Sequence, residues 1–160
     1  MADAQIFADL KRDHDRHRDL LERIAGSDPD SALRSDLFDE LRVELQAHAA
    51  AEEESLYAAM LADPELRDAA RHSVSEHKEI DDYLGELVEL DMSGDAWMKT
   101  FKALRHRYLH HIDEEEQEMF PAAARDLDDA TKAKLAAVFE KRKPRELERA
   151  EDEMPGDARQ

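Results

Sequence analysis

The chain has 160 residues, which is enough for one domain with a sizeable apolar core. It carries 41 Asp and Glu against 23 Lys and Arg, so its net charge is −18. A chain this acidic repels phosphate and anionic lipid, which argues against nucleic-acid and membrane partners. The lack of cysteine excludes disulfides, thiolate metal sites and thiol catalysis.

The first residues lack the basic start and the apolar run of a secretory signal peptide. The sequence also contains no apolar stretch long enough to span a bilayer. We therefore expect a cytoplasmic protein.

The first half of the chain predicts two long helices. Helix A is predicted from Asp3 to Ala25, because apolar residues recur there at spacings of three and four, and Gly26 is placed to end it. Helix B is predicted to follow with Asp28 as its cap and Pro29 in its first turn. Its apolar stripe runs to Leu61.

The second half predicts two long helices and a shorter one. Helix C is predicted from Pro64 to Leu90. Helix D is predicted from Ala96 to Phe120, where Pro121 is expected to kink or end it. Helix E is predicted from Asp129 to Lys141.

These patterns predict an all-α fold, an up-down-up-down antiparallel four-helix bundle with a short fifth C-terminal helix. We expect residues 1–143 to form the bundle together with that last helix. From Pro144 onwards the apolar periodicity is lost and charged residues dominate. Residues 144–160 are therefore predicted to form a charged, flexible tail.

An internal repeat relates the two halves of the chain. When the sequence is shifted by 63 residues, His14 falls on His77 and His48 falls on His111. The same shift superposes Asp13 on Glu76, Glu52 on Glu115, Glu53 on Glu116, Phe38 on Phe101, Leu41 on Leu104, and Leu21 on Leu84. Because the matches concentrate on histidine, glutamate and apolar positions, we expect hairpin A–B to pack on hairpin C–D with approximate two-fold symmetry.

The repeat brings six polar side chains to one place. In each half one helix carries a single histidine and the next carries His-x-x-x-Glu. Residues four apart share a helix face, and these lie within apolar stripes, so they are expected to point into the bundle. The six candidates are His14, His48, Glu52, His77, His111 and Glu115.

This cluster predicts a metal site. Buried carboxylates need compensation, and metals bind the neutral imidazole and ionised carboxylate forms. The donors suit iron, zinc or manganese, and six are too many for one tetrahedral zinc. They fit two metals, each with two histidines, bridged by the two carboxylates. A ferritin-like site would need Glu-x-x-His, and no histidine here has glutamate three residues before it.

At these residues the chain resembles the hemerythrin-like family, in the branch named for its His-His-Glu (HHE) cation-binding motif. The stretches that carry the resemblance are Asp13-His14, residues 48–57 (HAAAEEESLY), Glu76-His77 and residues 110–121 (HHIDEEEQEMFP). The combined order of these fragments is specific, whereas each fragment alone is weak. The resemblance covers roughly residues 3–125.

The resemblance implies a four-helix bundle with a non-haem di-iron centre that reacts with dioxygen, peroxide or nitric oxide. Two iron ions would be bridged by carboxylates and by an oxo or hydroxo group. The terminal ligands would be His14, His48, His77 and His111, and the bridging ligands would be Glu52 and Glu115.

The chain departs from the oxygen-carrying hemerythrins at two places. Ser73 stands where those proteins have a further histidine, one turn before His77. The second motif is also His-x-x-x-Glu rather than His-x-x-x-x-Asp. A metal with one imidazole fewer is more open to substrate, which favours sensing, storage or turnover of reactive oxygen or nitrogen species over oxygen transport.

Several neighbouring residues leave alternatives open. His17 is a hydrogen-bond donor to a metal ligand, a fifth imidazole ligand or, as we favour, a core or boundary histidine. Tyr108 is a ferric ligand or a redox-active gate or, as we favour, a packed tyrosine with a bonded hydroxyl. Glu53 and Glu116 either hydrogen-bond the ligand imidazoles or face water.

The remaining histidines are predicted to lie on the surface or between helices. His110 would pair with Glu114 as a ligand set only if the register of helix D slipped, and the repeat argues against that slip. His72 and His106 lie off the predicted ligand face.

The function predicted is the handling or sensing of oxidative or nitrosative stress by a di-iron protein. Its partners would be small molecules, namely dioxygen, peroxide or nitric oxide. Enzymatic turnover is left open. The alternatives are a non-catalytic oxygen or iron sensor, an iron buffer, an acidic bundle with incidental histidines and a mononuclear zinc protein.

Overall fold

The computed structural model describes residues 3–155, and within that range the chain is all-helical. The helices are α1 (Gln5–Ala25), α2 (Ala32–Glu52), α3 (Ala58–Ala62), α4 (Arg67–Glu89), α5 (Asp95–Glu114), α6 (Phe120–Asp126) and α7 (Asp129–Asp152). Two π turns, Glu53–Tyr57 and Glu115–Met119, join α2 to α3 and α5 to α6. In the part of the chain described, no helix is both long and apolar enough to cross a membrane.

The start of helix B differs from the prediction. Its cap is Ser31, whose side chain accepts a hydrogen bond from the Arg34 backbone N–H at 3.1 Å. Asp28 is therefore not the cap, and Pro29 lies in the turn before the helix. A serine at this position satisfies one of the N–H groups that a helix start leaves without a partner.

Pro121 does not end helix D. It lies in the first turn of α6, directly after the second π turn, and the helix continues to Asp126. A π turn shifts the backbone hydrogen-bond pattern by one residue. A proline directly after it therefore breaks no regular hydrogen bond of the helix, although proline has no N–H to donate.

The last helix is longer than the sequence predicts. It passes through Pro144 and ends at Asp152, so it is not short and its predicted end at Lys141 is too early. Contacts with α2 stabilise the extension, since Arg42 donates hydrogen bonds to the carbonyls of Ala150 at 3.0 Å and Glu153 at 3.2 Å. Residues 156–160 of the predicted tail lie outside the described residues.

The buried apolar side chains form two clusters with a polar layer between them. The first cluster includes Ile6, Phe7, Leu10, Ala51, Leu56, Tyr57, Met60, Ala70, Met119, Phe120, Leu135 and Phe139. The second includes Leu20, Leu21, Ile24, Leu37, Phe38, Leu41, Leu45, Ile80, Leu84, Trp97, Phe101, Leu104, Tyr108 and Ile112. Along each of the four long helices, buried histidines or glutamates lie between the residues of the first cluster and those of the second.

The four long helices cross that polar layer. α1 passes from the first cluster to the second, α2 returns, α4 passes over again and α5 returns. α1 contacts α2, α4 contacts α5, and α7 packs against α1 and α2. The arrangement is consistent with the predicted four-helix bundle, whereas the up-down-up-down order stays a prediction.

We predict that Leu41→Ala lowers the free energy of unfolding by about 2 to 5 kcal/mol, because it leaves a cavity in the second cluster. Leu41 is fully buried there. Leu33→Ala is the matched control on the same helix, since Leu33 is 54% exposed, and it should change stability by less than about 0.5 kcal/mol. Urea unfolding followed by circular dichroism measures both. Equal effects would contradict this description of the core.

Candidate metal centre

The structure brings all six predicted residues together in the polar layer. Glu52, His77, His111 and Glu115 offer ligand atoms that lie within 4.8 Å of one another. His14, His48 and Glu52 form a second group by the same distance. Glu52 is common to both groups, so the site consists of two adjacent donor sets joined by one carboxylate.

The two glutamates lie at the start of irregular helix turns. Glu52 is the last residue of α2 and precedes the first π turn, and Glu115 is the first residue of the second. A π turn inserts an extra residue into the helix and is often found at functional sites. The sequence repeat predicts the two glutamates but carries no signal for these turns.

Each of the four imidazoles is held by a carboxylate from another helix or from a π turn. The Nδ1 atoms lie 2.7 Å from Glu116 Oε2 for His14, 2.8 Å from Asp13 Oδ2 for His48, 3.1 Å from Glu53 Oε2 for His77, and 2.9 Å from Glu76 Oε1 for His111. An ionised carboxylate only accepts hydrogen bonds, so each Nδ1 carries a proton and donates it. Each Nε2 is thereby left as the ring atom available to the centre.

These outer pairs follow the sequence repeat. The shift of 63 residues converts the pair His48–Asp13 into His111–Glu76. It likewise relates His14–Glu116 to His77–Glu53. Of the two alternatives for Glu53 and Glu116, the hydrogen bond to an imidazole is therefore the one observed.

The atoms that face the centre lack ordinary partners. Among the described residues, Nε2 of His14, His48 and His111 and all four carboxylate oxygens of Glu52 and Glu115 are buried without a well-oriented hydrogen bond, although His111 Nε2 lies 2.5 Å from Glu115 Oε1. His77 Nε2 lies 3.2 Å from Glu52 Oε1. Unpaired buried polar atoms are costly, and so many in one place fit a site built for a cation.

The two central carboxyl groups cannot both be ionised without such a cation. Burial and the negative charge of Glu52 raise the pKa of Glu115 well above its usual range. Burial opposes ionisation of Glu52 as well, but the neighbouring Glu115 carboxyl group and the His48 and His77 imidazoles hold its pKa well below the usual range. In the metal-free pair, protonation is therefore favoured at Glu115 over Glu52.

The pKa values of the imidazoles in the metal-free chain are also shifted in opposite directions. Burial lowers the pKa of His14, which stays neutral. Burial also acts to lower the pKa of His48, but the hydrogen bond to Asp13 and the nearby Glu52 carboxylate raise it to about 9. Because metals bind the deprotonated ligands, a bound ion would displace these protons.

Basic residues neutralise the outer carboxylates. Lys143 on α7 lies 2.7 Å from Asp13 Oδ2, and Arg18 lies 3.1 Å from Glu116 Oε2. Arg107 NH1 approaches Glu76 Oε2 at 3.6 Å. The long last helix thus contributes directly to the site, although sequence analysis assigned no role to Lys143.

His17 and Tyr108 form a hydrogen-bonded pair beside the centre. The Tyr108 hydroxyl donates to His17 Nδ1 at 2.6 Å, and His17 Nε2 donates to Glu44 Oε2 at 3.2 Å. Both ring nitrogens are engaged, which agrees with the favoured interpretation of His17 as a core histidine. Burial lowers the pKa of His17 to about 3, so the ring is neutral.

The two halves of the centre differ in polarity. His14 stacks on Phe120, and His77 stacks in the same way on Tyr57, which is the repeat partner of Phe120. The Tyr57 hydroxyl is buried and, in the described chain, has no hydrogen-bond partner. Ser73 is buried on the same side, where the repeat has Leu10. Sequence analysis did not identify Tyr57, although the shift of 63 residues would have paired it with Phe120.

The other histidines lie outside the central groups. His72 and His110 are exposed and contact Glu114 at 3.8 and 3.6 Å, respectively. His106 is exposed. These positions agree with the prediction of surface or inter-helix histidines.

Comparison with known proteins gives two matches. The model of the hemerythrin HHE cation binding domain matches residues 5–123. A crystal structure of a hemerythrin HHE cation binding domain-containing protein from Mycobacterium kansasii is 26% identical, with a TM-score of 0.72 over 94% of this chain and 99% of that one. No curated protein matches the chain.

We predict that the metal-free protein loses stability as the pH falls from 6.5, and that His17→Gln weakens this dependence. The folded pKa of His17, about 3, lies below its ordinary value of 6.5, so below pH 6.5 the unfolded chain binds the additional proton. Between pH 7 and pH 5 the wild type should lose about 2 kcal/mol more than the variant.

Urea unfolding at pH 7, 6 and 5 measures this difference. His106→Gln is the matched control, because His106 is exposed. An unchanged dependence in His17→Gln would show that the ring is charged in the folded chain.

Proposed function

Because this chain belongs to the hemerythrin HHE cation-binding domain family, we propose that its buried centre binds two iron ions and reacts with dioxygen, peroxide or nitric oxide. The observation that carries the proposal is the pair of donor groups joined by Glu52. Each of the two groups would hold one ion. The cell would use this reactivity to handle or sense oxidative or nitrosative stress.

The donor set suggests a role for each of the six residues. His14 and His48 would bind one ion, and His77 and His111 would bind the other, each through Nε2. Glu52 would bridge the ions because it belongs to both groups. Glu115, which belongs to the His77 group, is proposed as the second bridge.

The chemistry of these residues suits iron. Imidazole and carboxylate ligands are typical of non-haem iron, and the described residues offer no sulfur ligand in either group. Two cations would compensate both glutamates and replace the proton that Glu115 holds in the metal-free chain. The outer carboxylates would keep the four rings in the orientation that ligation requires.

Bound iron would supply electrons to dioxygen or peroxide, or a binding position for nitric oxide. The protein residues would control access and polarity. The two apolar clusters exclude bulk water from both ends of the polar layer. The half with Tyr57 and Ser73 is the more polar, and we propose that the small molecule binds there, with the Tyr57 hydroxyl as a hydrogen-bond donor.

We predict that Glu52→Gln and Glu115→Gln differ in their effect on iron content. Glu52 is shared by both groups, so its loss removes a donor from each and should lower bound iron from about two ions per chain to about one, held by His77, His111 and Glu115. Glu115 belongs to one group only, so its variant leaves two histidines and Glu52 in each group and should retain more iron than Glu52→Gln.

Elemental analysis after anaerobic loading with Fe²⁺ and dialysis measures this difference, with circular dichroism to check folding. Glu54→Gln is the matched control, because Glu54 is a neighbouring glutamate that belongs to neither group. Equal retention of iron in Glu52→Gln and wild type would contradict the shared role of Glu52.

Turnover is tested by adding an excess of peroxide, which disproportionates without a reductant, or of nitric oxide together with ascorbate as the electron source, to the iron-loaded protein. The proposed activity predicts continued consumption of many equivalents per iron centre, followed with a peroxide or nitric oxide electrode. The zinc-loaded protein is the control, because zinc undergoes no redox change. If the iron protein consumes one equivalent or less and then stops, the alternative of a sensor or iron buffer is correct.

A further inference from the structure

We propose that His72, Glu76 and Glu114 form a surface site that captures a divalent transition-metal ion and passes it to the buried centre. Ligand atoms of these three residues lie within 4.8 Å of one another, and none of the three belongs to the central set. The proposal rests on the proposed function, because a loading site requires a centre that binds metal.

The three donors range from exposed to buried. The His72 side chain is 60% exposed, Glu114 is 38% exposed, and Glu76 is 2% exposed. His72 Nε2 lies 3.5 Å from Glu76 Oε2 and 3.8 Å from Glu114 Oε2. The atoms are thus close together at distances too long for hydrogen bonds. One imidazole with two carboxylates is a suitable donor set for Fe²⁺, Mn²⁺ or Zn²⁺.

A cleft beside this cluster is lined in part by a residue of the centre. Its volume is about 160 Å³, and its lining includes His72, Glu114, Ser73 and Glu115. Glu115 is 1% exposed, and both of its carboxylate oxygens are without a hydrogen-bond partner in the described chain. The cleft has room for an ion with several waters, at about 30 Å³ for each water. An ion that leaves the surface cluster along this cleft would therefore reach Glu115, a residue of the buried donor set whose carboxylate lies beside His111.

Glu76 connects the two sites directly. Its Oε1 atom accepts the hydrogen bond from His111 Nδ1 at 2.9 Å, while Oε2 faces His72. One carboxylate therefore contributes to the surface cluster and also orients a ligand candidate of the centre.

Local charge favours a cation. The net charge of −18 attracts positive ions to the protein. Arg107 is the cation near Glu76, but its guanidinium is held by both carboxylate oxygens of Glu79, at 2.8 and 2.9 Å. His110 Nε2, 3.6 Å from Glu114 Oε1, adds a second exposed imidazole next to the cluster.

The test is the rate of metal uptake. Metal-free protein is mixed with Co²⁺ in a stopped-flow instrument, and the visible absorption of imidazole-bound cobalt is followed. The variant His72→Ala/Glu114→Gln should load at least fivefold more slowly at micromolar Co²⁺ and should reach the same final occupancy of the buried centre. The matched control is His106→Ala/Glu22→Gln, which removes an exposed imidazole and an exposed carboxylate elsewhere and should load at the wild-type rate.

Three outcomes would overturn the proposal. An unchanged rate in the first variant would show that the cluster takes no part in loading. Equal slowing in both variants would indicate an effect of general charge. A lower final occupancy of the buried centre would show that the cluster supports the centre rather than loading it.

A failure of the proposed function is recognised separately, because the wild type would then take up no cobalt at the centre. The surface site is in that case tested directly by Mn²⁺ titration, with the electron paramagnetic resonance signal of free Mn²⁺ as the readout. One bound ion per chain that His72→Ala/Glu114→Gln removes, and the control variant keeps, supports the site. No such ion overturns it.

Discussion

The centre depends on one interaction, made four times: a hydrogen bond from an imidazole Nδ1 to a carboxylate. This bond determines which ring nitrogen carries a proton and how the ring is turned. Without it, a buried histidine could present either nitrogen to the interior. With it, all four rings offer Nε2 to one space, where Glu52 and Glu115 also lie. The candidate site is therefore prearranged by residues that do not themselves face it.

The fold supports this arrangement at a cost in stability. Charged groups within a helical protein are unfavourable unless they are paired, and the outer carboxylates are paired with cations such as Lys143 and Arg18. Apolar clusters on both sides of the polar layer supply the burial that offsets the remaining cost. Within the part of the chain that the structure describes, no lysine or arginine is paired with the inner glutamates Glu52 and Glu115, which lie beside imidazoles instead. The outer carboxylates thus orient the histidine rings, whereas the inner ones are the proposed metal ligands.

The sequence predicts the all-helical fold and the six residues of the centre, because both follow from local spacing and from the repeat. It indicates less about contacts between distant segments. Asp13 and Glu76 are visible as acids before each histidine, yet their partners lie on other helices. The sequence carries no signal that Lys143 pairs with Asp13. This contact depends on α7 continuing through Pro144, where local helix propensity predicts that the helix ends. The π turns are likewise set by packing rather than by composition.

The most direct test of the paired centre is a crystal structure of the iron-loaded protein with anomalous diffraction data collected at the iron absorption edge. The account predicts two anomalous peaks in the polar layer, one next to Nε2 of His14 and His48 and the other next to Nε2 of His77 and His111. Glu52 should contact both peaks, and the four Nδ1–carboxylate bonds should be retained. A single peak, no peak, or coordination through Nδ1 would contradict it.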